Sequence, residues 1–330
     1  MASIEVKGLD GRNLLAFLAA LGAHVALDRT ASGVRLSWDA TTFRPTIHLR
    51  SPGSEPAGST VSSEEHVVSL LESGLRELAG VGNRFPWQSS AGKQPCKCGL
   101  GGDIKGISRT QLRQEALEPA ACAAREGSPD RSWADFVAGL SSDAVPSARK
   151  EAYTALCIIT GDGHQHFLGF MRELCGQVTP EHLKATLFAT WQYREDGRSF
   201  RWDPSDDRRY ALRASDPSKG PDKSIPSMWG ANRLAFEALA CLPCHPRGRR
   251  LQTTGFQEER VFHWPLWDAR VTLTTVRALL AHAAVLDHDA ATLAAMGVFA
   301  IGSSRKTHVD RKRTFGPASI WPVPTSARDT

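Results

Sequence analysis

No stretch of this 330-residue chain reaches the roughly 18 consecutive apolar residues that a membrane span needs. The amino terminus also lacks the basic leader, apolar core and cleavage site of a secretory signal, so a cytoplasmic protein with no membrane partner is expected. Seven cysteines is an odd count, and without a secretory signal the expectation is reduced thiols rather than a disulfide framework. Four catalytic signatures are missing as well. There is no Gly-x-x-x-x-Gly-Lys-Ser/Thr phosphate loop, no Gly-x-Ser-x-Gly elbow, no His-Glu-x-x-His helix and no dinucleotide fingerprint after a strand. Their absence argues against the common enzyme classes and leaves only a site assembled from scattered residues. The expectation is a protein with no catalytic residues. Internal repeats and low-complexity tracts are absent beyond short loops.

What is present is an ordinary globular composition, 41% hydrophobic and 23% charged, with ample material for a core. The formal charge of +5 is small beside 40 basic side chains, so their distribution carries more information than their sum. They cluster at Arg208 and Arg209, at Arg247, Arg249 and Arg250, and at Arg305 and Lys306 with Arg311, Lys312 and Arg313. Brought together by a fold, these would make an electrostatic footprint for a polyanion.

Leu14 to Gly22 is an alanine-rich apolar run behind helix-start residues. Its apolar residues cover most of the helix circumference, which predicts burial on several sides, with Gly22 at a close approach or a cap. Val34, Leu36 and Trp38 alternate with polar residues as in a half-buried strand, and Thr46 to Leu49 is its candidate partner. Ser51 to Gly58 reads as a loop, and the longer irregular region from Gly80 to Gly106 as a loop or ligand surface. Helices are predicted from Ser63 to about Leu78, over Ser132 to Phe136, over Gln165 to Cys175, from Thr179 to Tyr193, over Gly230 to Ala240, over Thr272 to Leu286 and over Asp289 to Met296. Val261 to Pro265 reads as a short strand. The fold class expected is α+β and helix-rich, with a small amino-terminal helix-and-strand subregion packed on a larger helical body. Residues 1–330 are read as one compact unit, with 1–106 and 107–330 as its subregions.

The densest chemistry lies between Ser199 and Arg213, where Arg201, Asp203, Asp207, Arg208 and Arg209 crowd together with aromatics and Pro204. Guanidinium forks pair bidentately with carboxylates or phosphates and stack on aromatic rings, so this block is either an internal ion-pair clamp or a nucleic-acid contact. Asp162, His164 and His166 offer two imidazoles and a carboxylate. They read as a metal-dependent nuclease or hydrolase site, or as a helix start with Asp162 as cap. Cys96, Cys98, Cys241 and Cys244 are the only cysteine pairs at ligand-like spacing, which makes a structural zinc the candidate cofactor. Only one residue separates Cys96 from Cys98, where a knuckle normally has two.

Several of these segments recur together in a known family. Gly11 to Gly22, Gly163 to Leu168, Phe200-Arg201-Trp202-Asp203-Pro204 with Asp207 to Leu212, Gly230 to Ala235, Trp264 to Trp267 and Arg313 to Pro317 resemble CRISPR-associated proteins of type I-G, formerly I-U. They span nearly the whole chain in order. The resemblance implies a component of the interference machinery, similar either to the large subunit of a Cascade-like complex or to the accessory extension found with its helicase-nuclease. The partners implied are other effector subunits, the helicase-nuclease, and guide RNA or target DNA. In such complexes base pairing carries the sequence information while protein subunits hold backbones. Arg305, Lys306, Arg311, Lys312 and Arg313 are the candidate phosphate contacts. A protein-only adaptor that recruits the helicase-nuclease is the other binding reading.

Overall fold

The computed structural model describes residues 2–50, 63–81, 104, 110, 113, 117, 118, 120–122, 131–144, 153–162, 165–204, 226–309 and 312–324. At its centre is helix α1, Leu14–Thr30, in which every residue from Leu14 to Leu27 is buried. A helix apolar all round has no face to offer water, so it has to be wrapped by other elements. Asn13 starts it by accepting a hydrogen bond from the Ala16 amide on its side chain, satisfying one of the donors a helix start leaves over. Helices α2, Glu64–Val81, and α6, Trp229–Glu237, pack directly on α1, the latter running into a 3-10 turn at Ala238–Cys241 that packs there too. Outside them, α3, Arg131–Leu140, packs on the 3-10 turn, and α4, Phe167–Gln177, and α5, Pro180–Phe188, pack on α6. α1 packs most extensively on α6. Gly22 makes that possible, because a Cβ there would overlap the Leu234 carbonyl.

Strands β1, Ala2–Glu5, β2, Arg35–Trp38, and β3, Pro45–Leu49, form an antiparallel sheet in the order β1-β3-β2. The expected pairing of the second and third is present, and β1 is an addition that four residues without clear alternation did not announce. In the carboxy-terminal half, β10, Phe256–Gln257, β11, Val261–Trp267, β12, Val298–Val309, β13, Lys312–Phe315, and β14, Ser319–Pro322, build a five-stranded antiparallel sheet. The two halves are stitched by tryptophans. Trp264 donates to the Gly11 carbonyl and Trp267 to the Leu36 carbonyl, both at 2.9 Å. Phe17 stacks on Trp38 and lies against Trp264, with centroids 5.7 Å apart in each pair. One continuous cluster of buried residues runs from Val6 to Val323. The chain is α+β, with a helical body and antiparallel sheets.

Three local expectations change. Thr160–Asp162 (β4) pairs with Gln165–His166 (β5) as a short hairpin, so helix α4 starts at Phe167 and Asp162 is not its cap. The helix beginning at Pro180 stops at Phe188, where Ala189 goes extended, and the chain beyond it turns at Tyr193 and Arg198, both at positive φ. Between those two residues lies β6, Glu195–Asp196, which pairs with β7, Pro226–Ser227, just ahead of α6. Thr272 to Leu286 divides into α7, Leu273–Ala281, and α8, Ala283–Asp287, where His282 goes extended and caps the second helix through its own ring. A last short helix, α9, covers Ala290–Ala295.

Three histidines are embedded in the fold as neutral rings. Burial pushes His24 down to about 4, despite its hydrogen bond to the Val34 carbonyl. It also pushes His48, bridging Ser3 and Ser37 across the first sheet, and His263 to about 4. An unfolded chain takes up these protons at about pH 6.5 and the folded chain only near 4, so in that window the unfolded state binds more protons and folding weakens as pH falls. The melting temperature is therefore expected to be level between pH ~6.5 and ~8 and to decline steadily from there toward pH ~4, with a shallower decline in His24→Leu. A melting series in which the variant keeps the full wild-type slope would remove His24 from this account.

Candidate nucleic-acid interface

The carboxy-terminal basic residues lie on a hairpin rather than on an irregular polar tail. β12 and β13 pair antiparallel with Lys306 opposite Phe315 and His308 opposite Arg313. Period-two alternation of a strand therefore places Arg305 on one face and Lys306 with Arg313 on the other. Arg305 and Arg313 are exposed. Lys306 is only partly exposed, and its ammonium sits 4.6 Å from the centroid of the Phe256 ring. Burial pushes its pKa down to about 8, even with the Glu259 carboxylate nearby. It thus stands as a cation against an aromatic face, not at the tip of a phosphate grip. Arg311 and the side chain of Lys312 lie outside the described residues.

The dense segment before Arg213 is described up to Pro204, and that part is a mount. Arg201 is buried with a φ of 60°. Its carbonyl accepts from the Phe315 amide at 3.2 Å, and its guanidinium donates to the Arg313 carbonyl at 3.3 Å. Asp203, 2% exposed, accepts from the Tyr193 hydroxyl at 2.9 Å and from the Asn13 side chain at 3.3 Å. Phe200 bonds through its amide to the buried Asn232 side chain, and the Trp202 indole donates to the Leu156 carbonyl. Backbone held in the left-handed region by a non-glycine residue costs free energy and survives where its surroundings over-determine it. Here those surroundings are β13, the start of α1 and α6. The structure thus ties Arg201 to the strand of Arg313 and Asp203 to Tyr193 and the start of α1, whereas Asp207, Arg208 and Arg209 lie outside the described residues.

The chain from Cys244 to Thr253 forms a two-stranded ribbon, where the sequence raised no expectation beyond a pair of zinc-ligand cysteines and a basic cluster. β8, Cys244–Arg247, pairs with β9, Arg250–Thr253, around Gly248 and Arg249. Gly248 has a φ of 61°, which glycine supplies without strain at the first position of a two-residue hairpin turn. The available signal was Arg-Gly-Arg-Arg itself, with glycine at that turn position. Cys244, Leu251 and Thr253 are buried, while His245 to Arg250 are all exposed.

Two of the four candidate zinc thiols lie among the described residues. Cys244 lies 3.6 Å from the Gly139 carbonyl and 3.8 Å from the Thr253 hydroxyl, and burial pushes its pKa up to about 12. Cys241 is wholly buried and pushed up to about 11, burial outweighing the neighbouring Arg277. Cys96 and Cys98 lie outside the described residues, as does His164. Asp162 belongs to the β4–β5 hairpin, and His166 occupies the position before α4. Among the described residues no group of three or more His, Cys, Asp and Glu side chains is placed to hold a metal, and no helix is long and apolar enough to cross a membrane. Compared with known proteins, the chain matches no family model and no curated protein.

Proposed function

We propose that this chain is a non-catalytic component of type I-G CRISPR antiviral interference. In this reading it contacts guide RNA or target DNA and docks on partner effector subunits, the helicase-nuclease among them. The observation that carries the reading is that the segments resembling the family pack on one another while basic side chains stand outside them. Asn13 reaches Asp203, Phe200 bonds to Asn232, Trp264 bonds to Gly11, and Arg201 bonds to Arg313. Their polar atoms are engaged in holding the frame, which supports a scaffold rather than a reaction site. Arg305 and Arg313 are carried on its rim, exposed, where neutralising phosphates would release counterions.

Replacing Arg311, Lys312 and Arg313 with alanine is expected to weaken binding to nucleic acid across sequences. The salt slope of binding should fall by roughly one unit for each phosphate no longer neutralised. Folding should survive, because Arg313 is exposed and the carbonyl that accepts from Arg201 remains in the variant. The measurement is a titration at several salt concentrations, alone and in the assembled effector, with a melting curve beside it. Identical slopes for wild type and variant in the assembled effector would leave the protein-only adaptor as the better reading.

A further inference from the structure

The ribbon Cys244–Thr253 carries a charge pattern that the frame does not use. Among the described residues β8 and β9 pair only with each other, so the ribbon is two strands wide. Alternation along it turns Cys244, Leu251 and Thr253 inward, all of them buried. The Cys244 thiol donates to the Gly139 carbonyl and lies 3.8 Å from the Thr253 hydroxyl, and the Thr253 amide donates to Glu259 at 2.9 Å. The other face presents His245, Arg247 and Arg250, with Arg249 at the turn. No carboxylate occurs anywhere between Leu242 and Gln257. Just beyond that stretch Glu258 is exposed, after the β10 strand, and Glu259 is partly buried and committed to the backbone at the ribbon's base. The tip is therefore a concentrated positive charge on a short turn, fixed at its root and exposed along its outer edge.

Two paired strands about 4.8 Å apart, with side chains on either flank, fit within a major groove of about 12 Å, an opening that admits a two-stranded ribbon. We infer that this ribbon is a duplex-contacting arm, with Gly248 and Arg249 entering a groove and Arg247 and Arg250 taking phosphates on its walls. The inference rests on the nucleic-acid reading above and specifies double-stranded nucleic acid as the ligand at a second place on the surface. Arg247 already donates to the Gln252 side chain at 3.3 Å, which holds its guanidinium along the outer face.

The test uses the full chain and fluorescently labelled DNA of random sequence, about 30 base pairs as duplex or the same length single-stranded, titrated over a range of salt. Wild type is expected to prefer the duplex. In the R247A/R249A/R250A variant the salt slope on duplex should fall by roughly 2 to 3 units and the preference for duplex should vanish. The R247K/R249K/R250K variant should keep the slope, and both variants should melt with wild type because the substituted positions are exposed. If R311A/K312A/R313A weakens binding and the ribbon variant does not, the ribbon inference fails and the nucleic-acid reading stands. If the ribbon variant loses single-stranded and duplex binding equally, or if polyglutamate displaces the duplex at equal charge, the groove assignment is overturned. Wild-type protein that binds neither form of DNA overturns the ribbon inference, whereas the nucleic-acid reading falls only with the titration in the assembled effector.

Discussion

Glu237→Ala is expected to destabilise the protein by about 3 to 5 kcal/mol, the cost of leaving buried charges without their partner. The carboxylate is wholly buried between two arginines. Arg29 reaches it from α1 at 2.8 Å and Arg233 from its own helix at 2.5 Å, and both guanidinium groups are almost completely buried. Arg29 also donates to the Gly74 carbonyl and Arg233 to the Leu75 carbonyl, both at 3.1 Å. One carboxylate thus holds the ends of two arginines that clamp α1, α2 and α6 together. Removing it leaves two cations facing each other out of reach of water. The melting temperature should fall by about 4 to 7 °C, given the unfolding entropy of a protein this size. A variant in which Arg29, Arg233 and Glu237 all become apolar residues of similar volume should recover most of the loss, since well-packed replacements of a buried ionic group are often neutral. A single Glu237→Ala variant melting within about 2 °C of wild type would show that the charges reach water or another counter-ion.

Gly22→Ala should be the next most damaging single change, at about 3 kcal/mol, the upper end of what overpacking costs. The added methyl would overlap a backbone carbonyl at Leu234, not the movable end of a side chain. Backbone cannot rotate aside, so α1 and α6 would have to separate along the most extensive helix packing among the described residues. Gly176→Ala is the control, because nothing lies near a Cβ at that position. There the better helix propensity of alanine should leave stability equal or slightly raised. Thermal melts of the two variants are expected to diverge in opposite directions, and coincident curves would mean that α1 and α6 do not meet as described.

The central helix was legible over Leu14 to Gly22, because an apolar run that covers every side of a helix can be satisfied only at the centre of a body, whereas its continuation to Thr30 was not. The start at Thr179 and Pro180 was equally readable from its cap chemistry, with His182 completing the capping box. Its end was not, since the chain goes extended at Ala189 and then turns at Tyr193 and Arg198, whose side chains are engaged by Asp203, Glu173 and Trp229, contacts that no local pattern shows. The strands after Val298 escaped for a related reason. β12 passes through glycine, serine and basic residues with no sustained alternation, and what keeps it extended is pairing with β11 on one side and with β13 and β14 on the other. The ribbon at Arg247 to Arg250 has a turn signal in Gly248, but its strands are too short for alternation to stand out.

By itself the sequence determined the fold class, the buried central helix, the apolar body around it and the positions of most helix starts. These depend on the period of the apolar residues and on a few capping groups, and both are local. Only the tertiary structure decided that Arg305 and Lys306 occupy opposite faces of one strand. It also decided that Lys306 rests on Phe256 beside Glu259, and that Arg201 is bound to the strand carrying Arg313. The charge of a side chain is written in its own residue, but its exposure and its partner are set by segments far away in the chain. An arginine in a basic run therefore becomes a frame bolt or a surface contact only when strands such as β12 and β13 have been paired and one of their two faces has been covered.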